Sequence, residues 1–202
     1  MIIFSRNRNE SAADTETAQF LAEKFDAEVW SIPFLYDLPA SGQTVKRLQS
    51  LDESAIFVIP FSERAAKSLL TSWNIPFSVV FGYIDGHIDS LKVPNGGIIG
   101  GKVERLEEPI TSRWYPVIDE TACLSCLECV NFCLFGVYAI GKEDKPFVDQ
   151  PDACRDGCPA CSRVCPSKAI MFPLYDDPVI AGYTLSPKDE LDDLVNIVDQ
   201  LD

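Results

Sequence analysis

The sequence predicts a layered α/β part followed by a small α+β part, and three observations point there. Short apolar runs alternate with helically spaced apolar residues up to residue 75; eight cysteines crowd between Cys123 and Cys165 with none before them; and 47% hydrophobic content over 202 residues suffices for a sizeable core. Strands alternating with helices imply parallel βαβ units. The expected division is an α/β domain over residues 1–110, a cysteine-rich domain over residues 111–175, and an acidic extension with a helix over residues 176–202.

Ile2-Ile3-Phe4 is an apolar run followed by a polar loop, which reads as a strand. Thr17, Phe20, Leu21 and Phe25 then recur at helical spacing through Ala12–Phe25. Glu28–Ile32 is a second strand, Val45, Leu48 and Leu51 mark a second helix, and residues 55–60 read as a strand buried on both faces. Residues 63–73 give a third helix. Residues 77–84 and 87–93 flank Asp85-Gly86, a dipeptide suited to the positive φ angles of a tight turn, so the sheet is expected to end in a β-hairpin.

Pro76 before an apolar strand, with a hairpin after it, resembles the closing half of a thioredoxin-like fold, while the opening strand, loop and helix resemble a flavodoxin-type start. Only topology carries over from either. This part has no Cys-x-x-Cys for thiol redox work, and the first loop, Ser5 to Ser11, has no glycine where a flavin phosphate needs close backbone approach. Gly96-x4-Gly101-Lys102 matches most of a phosphate-cradling loop. Val103 stands where a magnesium-binding hydroxyl belongs, however, and Pro109 cuts any following helix short, so residues 94–101 read as an interdomain loop. Polar residues 102–109 lead on towards Pro116 and place the junction near residues 105–115. At the far end Ser186-Pro187 starts a helix whose Leu191, Leu194, Val195, Val198 and Leu201 form one stripe, expected to pack on this same protein.

The net charge is −14, and residues 176–202 supply half of it with 8 acids against 1 base. Such a balance repels phosphate backbones, which excludes nucleic acid as an expected partner and favours a basic docking surface on any protein partner. No segment has the apolar length that a bilayer crossing needs, and the start lacks the pattern of a secretory leader, so a cytoplasmic protein is expected. In a reducing compartment thiols stay free and serve metals or catalysis in preference to disulfides.

The first four cysteines read Cys123-x2-Cys126-x2-Cys129-x3-Cys133, and the second four read Cys154-x3-Cys158-x2-Cys161-x3-Cys165, followed by Pro166. Spacings of two residues let a turning backbone present three sulfurs to three corners of a cubane cluster, leaving the fourth to come from elsewhere. Two zinc sites of four thiolates each are the chemical alternative, although zinc usually joins separated cysteine pairs. An apolar stretch, Trp114 to Asp119, leads into the first run; Tyr138-Ala139-Ile140 and Pro146-Phe147-Val148 follow it, and Ala169 to Phe172 follow the second. Strand, cysteine run and strand thus recur as an internal near-repeat.

Over residues 114–175 this pattern resembles the bacterial dicluster [4Fe-4S] ferredoxin family. In that family the last cysteine of each run ligates the other cluster. The resemblance therefore implies one cluster on Cys123, Cys126, Cys129 and Cys165, and a second on Cys133, Cys154, Cys158 and Cys161. Two departures stand out. Leu134 occupies the place that Pro166 fills in the second run, and Arg155-Asp156-Gly157 puts an extra residue between Cys154 and Cys158. Gly157 can take backbone conformations closed to other residues, so the extra residue is expected to bulge outward and shift that cluster's potential.

The remaining signals are weaker. His87, the one histidine, is expected to face solvent after the hairpin turn; Trp30, Trp73 and Trp114 are expected in the core or junction; and Arg6 with Arg8 either bind an anion or are solvated. No catalytic constellation is visible. The resemblance implies an electron carrier serving a redox partner, against two alternatives: a reductase subunit whose first domain binds a substrate or cofactor, and an assembly module whose clusters only hold shape.

Overall fold

Ile2, Ile3 and Phe4 put apolar side chains on both sides of the first strand, as a central parallel strand requires, and everything in the first part is built around them. The structure, a computed structural model, describes residues 1–83 and 101–183. Strands β1 (Ile2–Ser5), β2 (Glu28–Ile32), β3 (Ile56–Ile59), β4 (Val79–Gly82) and β5 (Lys102–Arg105) form one sheet in the order β4-β3-β1-β2-β5. Every pairing is parallel; Ile2 sits opposite both Val29 and Ile56, Ile56 opposite Val79, and Glu28 opposite Lys102.

Strand alternation sorts the side chains onto two faces. Ile2, Phe4, Val29 and Val58 pack with Ala18, Leu21 and Ala22 of helix α1 (Ala12–Phe25). Ile3, Trp30, Phe57 and Ile59 face the opposite way, onto Val45 and Leu48 of α2 (Gln43–Gln49) and Ala65, Ala66 and Leu69 of α3 (Glu63–Ser72). The helix starts follow from capping. The Asp14 carboxylate accepts from the Ser11 amide at 2.9 Å and from the Asn7 amide at 2.8 Å, and Ser62 Oγ accepts from the Ala65 amide at 3.3 Å.

Residues 102–105 correct the sequence reading, which took them for a polar lead into the junction. They form β5, an edge strand whose Lys102, Glu104 and Arg105 mark an edge that faces water on one side and hide its strand character. The same residues dispose of the phosphate-loop resemblance, because Lys102 begins a strand where that motif needs a helix. Gly101 has its own reason: a Cβ there would lie 2.3 Å from the Ala22 carbonyl oxygen, so the chain passes the end of α1 at glycine distance. Gly101→Val is expected to destabilise by about 1–3 kcal/mol through overpacking, read as a lower urea midpoint. The second arm of the expected hairpin, with His87, and the terminal stripe from Leu191 to Leu201 lie outside the described residues.

The cysteine-rich part is two crossed halves. The first runs β6 (Val117–Ile118), α4 (Glu128–Phe132), β7 (Tyr138–Ile140); the second runs β8 (Pro146–Val148), α5 (Ala160–Val164), β9 (Ile170–Met171). β6 pairs antiparallel with β9 and β7 antiparallel with β8, so each half gives one strand to each two-stranded sheet. α4 packs beside α5. A short helix α6 (Pro178–Ala181), capped by Asp177, returns onto β9, where the Phe172 amide donates to the Ile180 carbonyl at 2.8 Å.

The two parts share a buried junction. Tyr36 and Tyr115 stack with centroids 4.4 Å apart; the Tyr115 amide donates to Tyr36 Oη at 2.7 Å and Tyr115 Oη to the Tyr36 carbonyl at 2.8 Å. Beside them the buried Asp37 carboxylate accepts from Arg8 Nε at 2.7 Å and from the Arg113 amide at 2.8 Å, and Arg113 Nε reaches Asp152 at 2.7 Å. Arg64 bridges to Asp119 at 2.7 Å. Arg6 is 2% exposed and donates to the Leu106 carbonyl and to Glu107. Neither Arg6 nor Arg8 is a solvated side chain: both brace the chain where it crosses from one part to the other.

Candidate metal centre

Left-handed turns wind each cysteine run into place. Cys123 and Cys126 lie in the loop between β6 and α4, where Ser125 (φ 53°) and Leu127 (φ 61°) flank Cys126. Cys129 sits in the first turn of α4 and Cys133 at its C-terminal cap. In the second half Cys154 follows the 3-10 turn Pro151–Ala153, Cys158 precedes Pro159 at the N-cap of α5, Cys161 lies on α5 and Cys165 caps its end. Three residues past each run's last cysteine the backbone is again left-handed, at Gly136 (φ 69°) and Lys168 (φ 50°). The two halves therefore repeat in backbone as well as in sequence.

Gly157 has φ 72°, and nothing lies within 4 Å of where its Cβ would be. The glycine is there for its conformation and leaves room around it, as expected for an outward bulge. Gly157→Ala accordingly costs about 1–2 kcal/mol through the left-handed penalty alone, without a clash. The check is a thermal melt alongside Gly136→Ala, which shares the geometry and is expected to match it.

Four of the eight thiols, three from the first run and one from the second, share one place. Cys123, Cys126, Cys129 and Cys165 line one small cavity, closed by Leu124 and Ile170. The other four bear on one another electrically. Burial first, then the charges of Cys161, Cys158 and Cys133, push the Cys154 thiol up to about 12. Burial likewise pushes Cys161 up to about 11, with the Tyr138 hydroxyl acting the other way and Cys133 and Cys158 adding to the rise. Cys129 is raised to about 11, chiefly by burial, with the Val130 amide opposing and Cys123 and Cys161 adding to it. The two sets thus approach each other at Cys129 and Cys161, on the facing helices α4 and α5.

Cys165 behaves differently. Burial is its largest single influence and raises it, but the Ser167 hydroxyl and the amides of Ala169, Ser167 and Ile170 together outweigh burial and leave it below the ordinary thiol value. The Ala169 amide donates to Cys165 Sγ at 3.3 Å, and Ser167 Oγ lies 3.6 Å from it. Elsewhere the Trp114 indole donates to the Cys158 carbonyl at 3.2 Å and stacks on Phe172 at 5.2 Å, so Trp114 covers the second set from the junction side.

This donor set fits iron–sulfur clusters. Thiols crowded until they resist ionisation become stable thiolates only against strong positive charge, which coordinated iron supplies. Among the described residues no three His, Cys, Asp or Glu side chains group as ligands of one ion, whereas a cubane takes one thiolate per iron and needs its four sulfurs spread around it. The Tyr138 hydroxyl is buried without a fully formed hydrogen bond, and the groups that act on it are the thiols of Cys161, Cys129 and Cys133. Sequence reasoning found all eight thiols and missed Ser167, the Ala169 amide and Tyr138. Laying one half-repeat on the other would have exposed Tyr138, since Cys133 and Cys165 are each followed five residues on, by Tyr138 and by Ile170.

No helix among the described residues is long and apolar enough to cross a membrane. Residues 115–166 match the family model described as a 4Fe-4S dicluster domain. An uncharacterized ferredoxin of Methanocaldococcus jannaschii is 43% identical over 61 residues, which are 30% of this chain and 41% of that protein, so the chain spans less than half of that relative's length. The crossed halves, the thiol arrangement and these two likenesses converge: residues 115–166 are a ferredoxin-type 4Fe-4S domain, carried behind a parallel α/β sheet that neither likeness is needed to explain.

Proposed function

We propose that the chain is an electron-transfer protein that passes single electrons through two [4Fe-4S] clusters to a protein redox partner. Cys123, Cys126, Cys129 and Cys165 hold the first, and Cys133, Cys154, Cys158 and Cys161 hold the second. The observation that carries this reading is the crossed sorting of the thiols, with Cys165 lining the cavity of the first run and Cys133 bearing on the thiols of the second. When bound, each cluster takes up and gives back one electron. The chain's own residues do the rest. The Ala169 amide and Ser167 hydroxyl stabilise charge on Cys165, Trp114 shields the second set from water, and the exposed Cys126 brings the first set towards the surface where a partner docks.

The finer readings belong with it. The α/β domain covers residues 1–110 and the ferredoxin domain residues 111–175, ahead of an acidic extension, in a cytoplasmic protein whose partner presents a basic surface. The strand order β4-β3-β1-β2 supports the flavodoxin-type relation, with β5 added beyond β2. The test is anaerobic protein reduced by a low-potential donor and mixed with oxidised cytochrome. Stoichiometric reoxidation with no bound organic molecule is expected. Clusters that cannot be reduced turn the reading into the assembly alternative, and a copurifying small ligand that raises the melting temperature turns it into the reductase alternative.

A further inference from the structure

Tyr138 is where the two half-repeats differ in chemistry. It lies on β7, 8% exposed, packed among Cys129, Val137, Cys161, Ile170 and Phe172. Ile170, its counterpart in the other half, is wholly apolar, so the fold does not need a hydroxyl at this point. That hydroxyl has no hydrogen-bond partner, and a buried polar group left unpaired costs about 1–3 kcal/mol. The titratable groups that bear on it are all cysteines: Cys161 first, then Cys129 and Cys133. Its one hydrogen-bond interaction is with the Cys161 thiol, outside the geometry of a formed bond, and two of those three cysteines belong to the second set.

We infer that the Tyr138 hydroxyl is a hydrogen-bond donor to sulfur of the second cluster, on the Cys161 side, and that it raises the reduction potential of that cluster above what an apolar residue would allow. The inference rests on the cluster reading above and adds a residue that sets the order in which the two centres fill. Reduction adds negative charge to the cluster, so a donor facing its sulfur stabilises the reduced state more than the oxidised one. Tyrosine at position 138 and isoleucine at position 170 thereby give the halves unequal potentials from nearly equal frames.

The test is film voltammetry of anaerobic holoprotein, with the wave of the second set identified as the one altered by Cys158→Ser. Tyr138→Phe is expected to lower that potential by an amount equal to a roughly threefold to tenfold change in the reduction equilibrium, where tenfold is about 59 mV for one electron. The first wave stays. Site-specific 3,5-difluorotyrosine at position 138, a stronger donor of the same shape, is expected to move the same wave upward, and this arm decides the matter if the phenylalanine variant does not load. An unmoved second wave, or a shift confined to the first, overturns the inference while leaving the clusters in place. Wild-type protein without acid-labile sulfide overturns the cluster reading itself.

Discussion

Cys165→Ser is expected to strip the proposed first cluster and spare the second, although Cys165 belongs to the second run of the sequence. The thiol lines the cavity of Cys123, Cys126 and Cys129, and its sulfur is the one held below the ordinary thiol value by the Ala169 and Ile170 amides and Ser167. Serine keeps the hydroxyl contacts but lacks the soft thiolate that iron prefers. Iron content is therefore expected to fall by about half, to one cubane of four irons per chain. Cys133→Ser produces the mirror result, with the centre of Cys154, Cys158 and Cys161 lost. Iron and sulfide assays, with the electron paramagnetic resonance signal of whichever centre survives, check the pair. If each variant instead loses the centre of its own run, the crossed assignment fails.

The second large effect lies at the junction. Tyr115 is buried, stacked on Tyr36, and engaged with it through both its amide and its hydroxyl. Tyr115→Ala is expected to cost about 3–5 kcal/mol, the range for removing a buried aromatic ring. Tyr115→Phe keeps the ring and loses one buried hydrogen bond, leaving the Tyr36 carbonyl short of a donor, at about 1–3 kcal/mol. Because Tyr115, Val117 and Met171 share a core with Ile3, Phe57 and Leu69, the sheet and the ferredoxin-type domain are expected to unfold together in the wild type. Denaturation followed by cluster absorbance and by far-ultraviolet circular dichroism checks this: coincident curves in the wild type, separated curves in Tyr115→Ala.

Much of this frame was legible in the sequence because its signals are local. The helical spacing through Ala12–Phe25 gave the first helix its full span, and the apolar run of Glu28–Ile32 gave the second strand its span. The cysteine spacings located every candidate ligand. What escaped depends on contacts far apart in the chain. β5 reads as polar because it is an edge, and only its pairing with β2 makes it a strand. Tyr36 sits in a 3-10 turn, Leu35–Asp37, with no periodic signal, yet it meets Tyr115 across 79 positions of sequence. Arg6 and Arg8 looked available to an anion because their main anchors are distant in sequence: Arg6 pairs with Glu107 as well as with nearby Glu10, and Arg8 pairs with Asp37. The short helices α4 and α5, five residues each, are too brief for helical periodicity to declare itself.

Iron and acid-labile sulfide analysis of strictly anaerobic protein, followed by its electron paramagnetic resonance spectrum during stepwise reduction, decides whether the eight thiols hold two cubanes. About eight irons and eight sulfides per chain, four of each per cubane, are expected, with two one-electron steps at separate potentials. Colourless protein holding zinc and no sulfide, or a single centre with half that iron, contradicts that expectation.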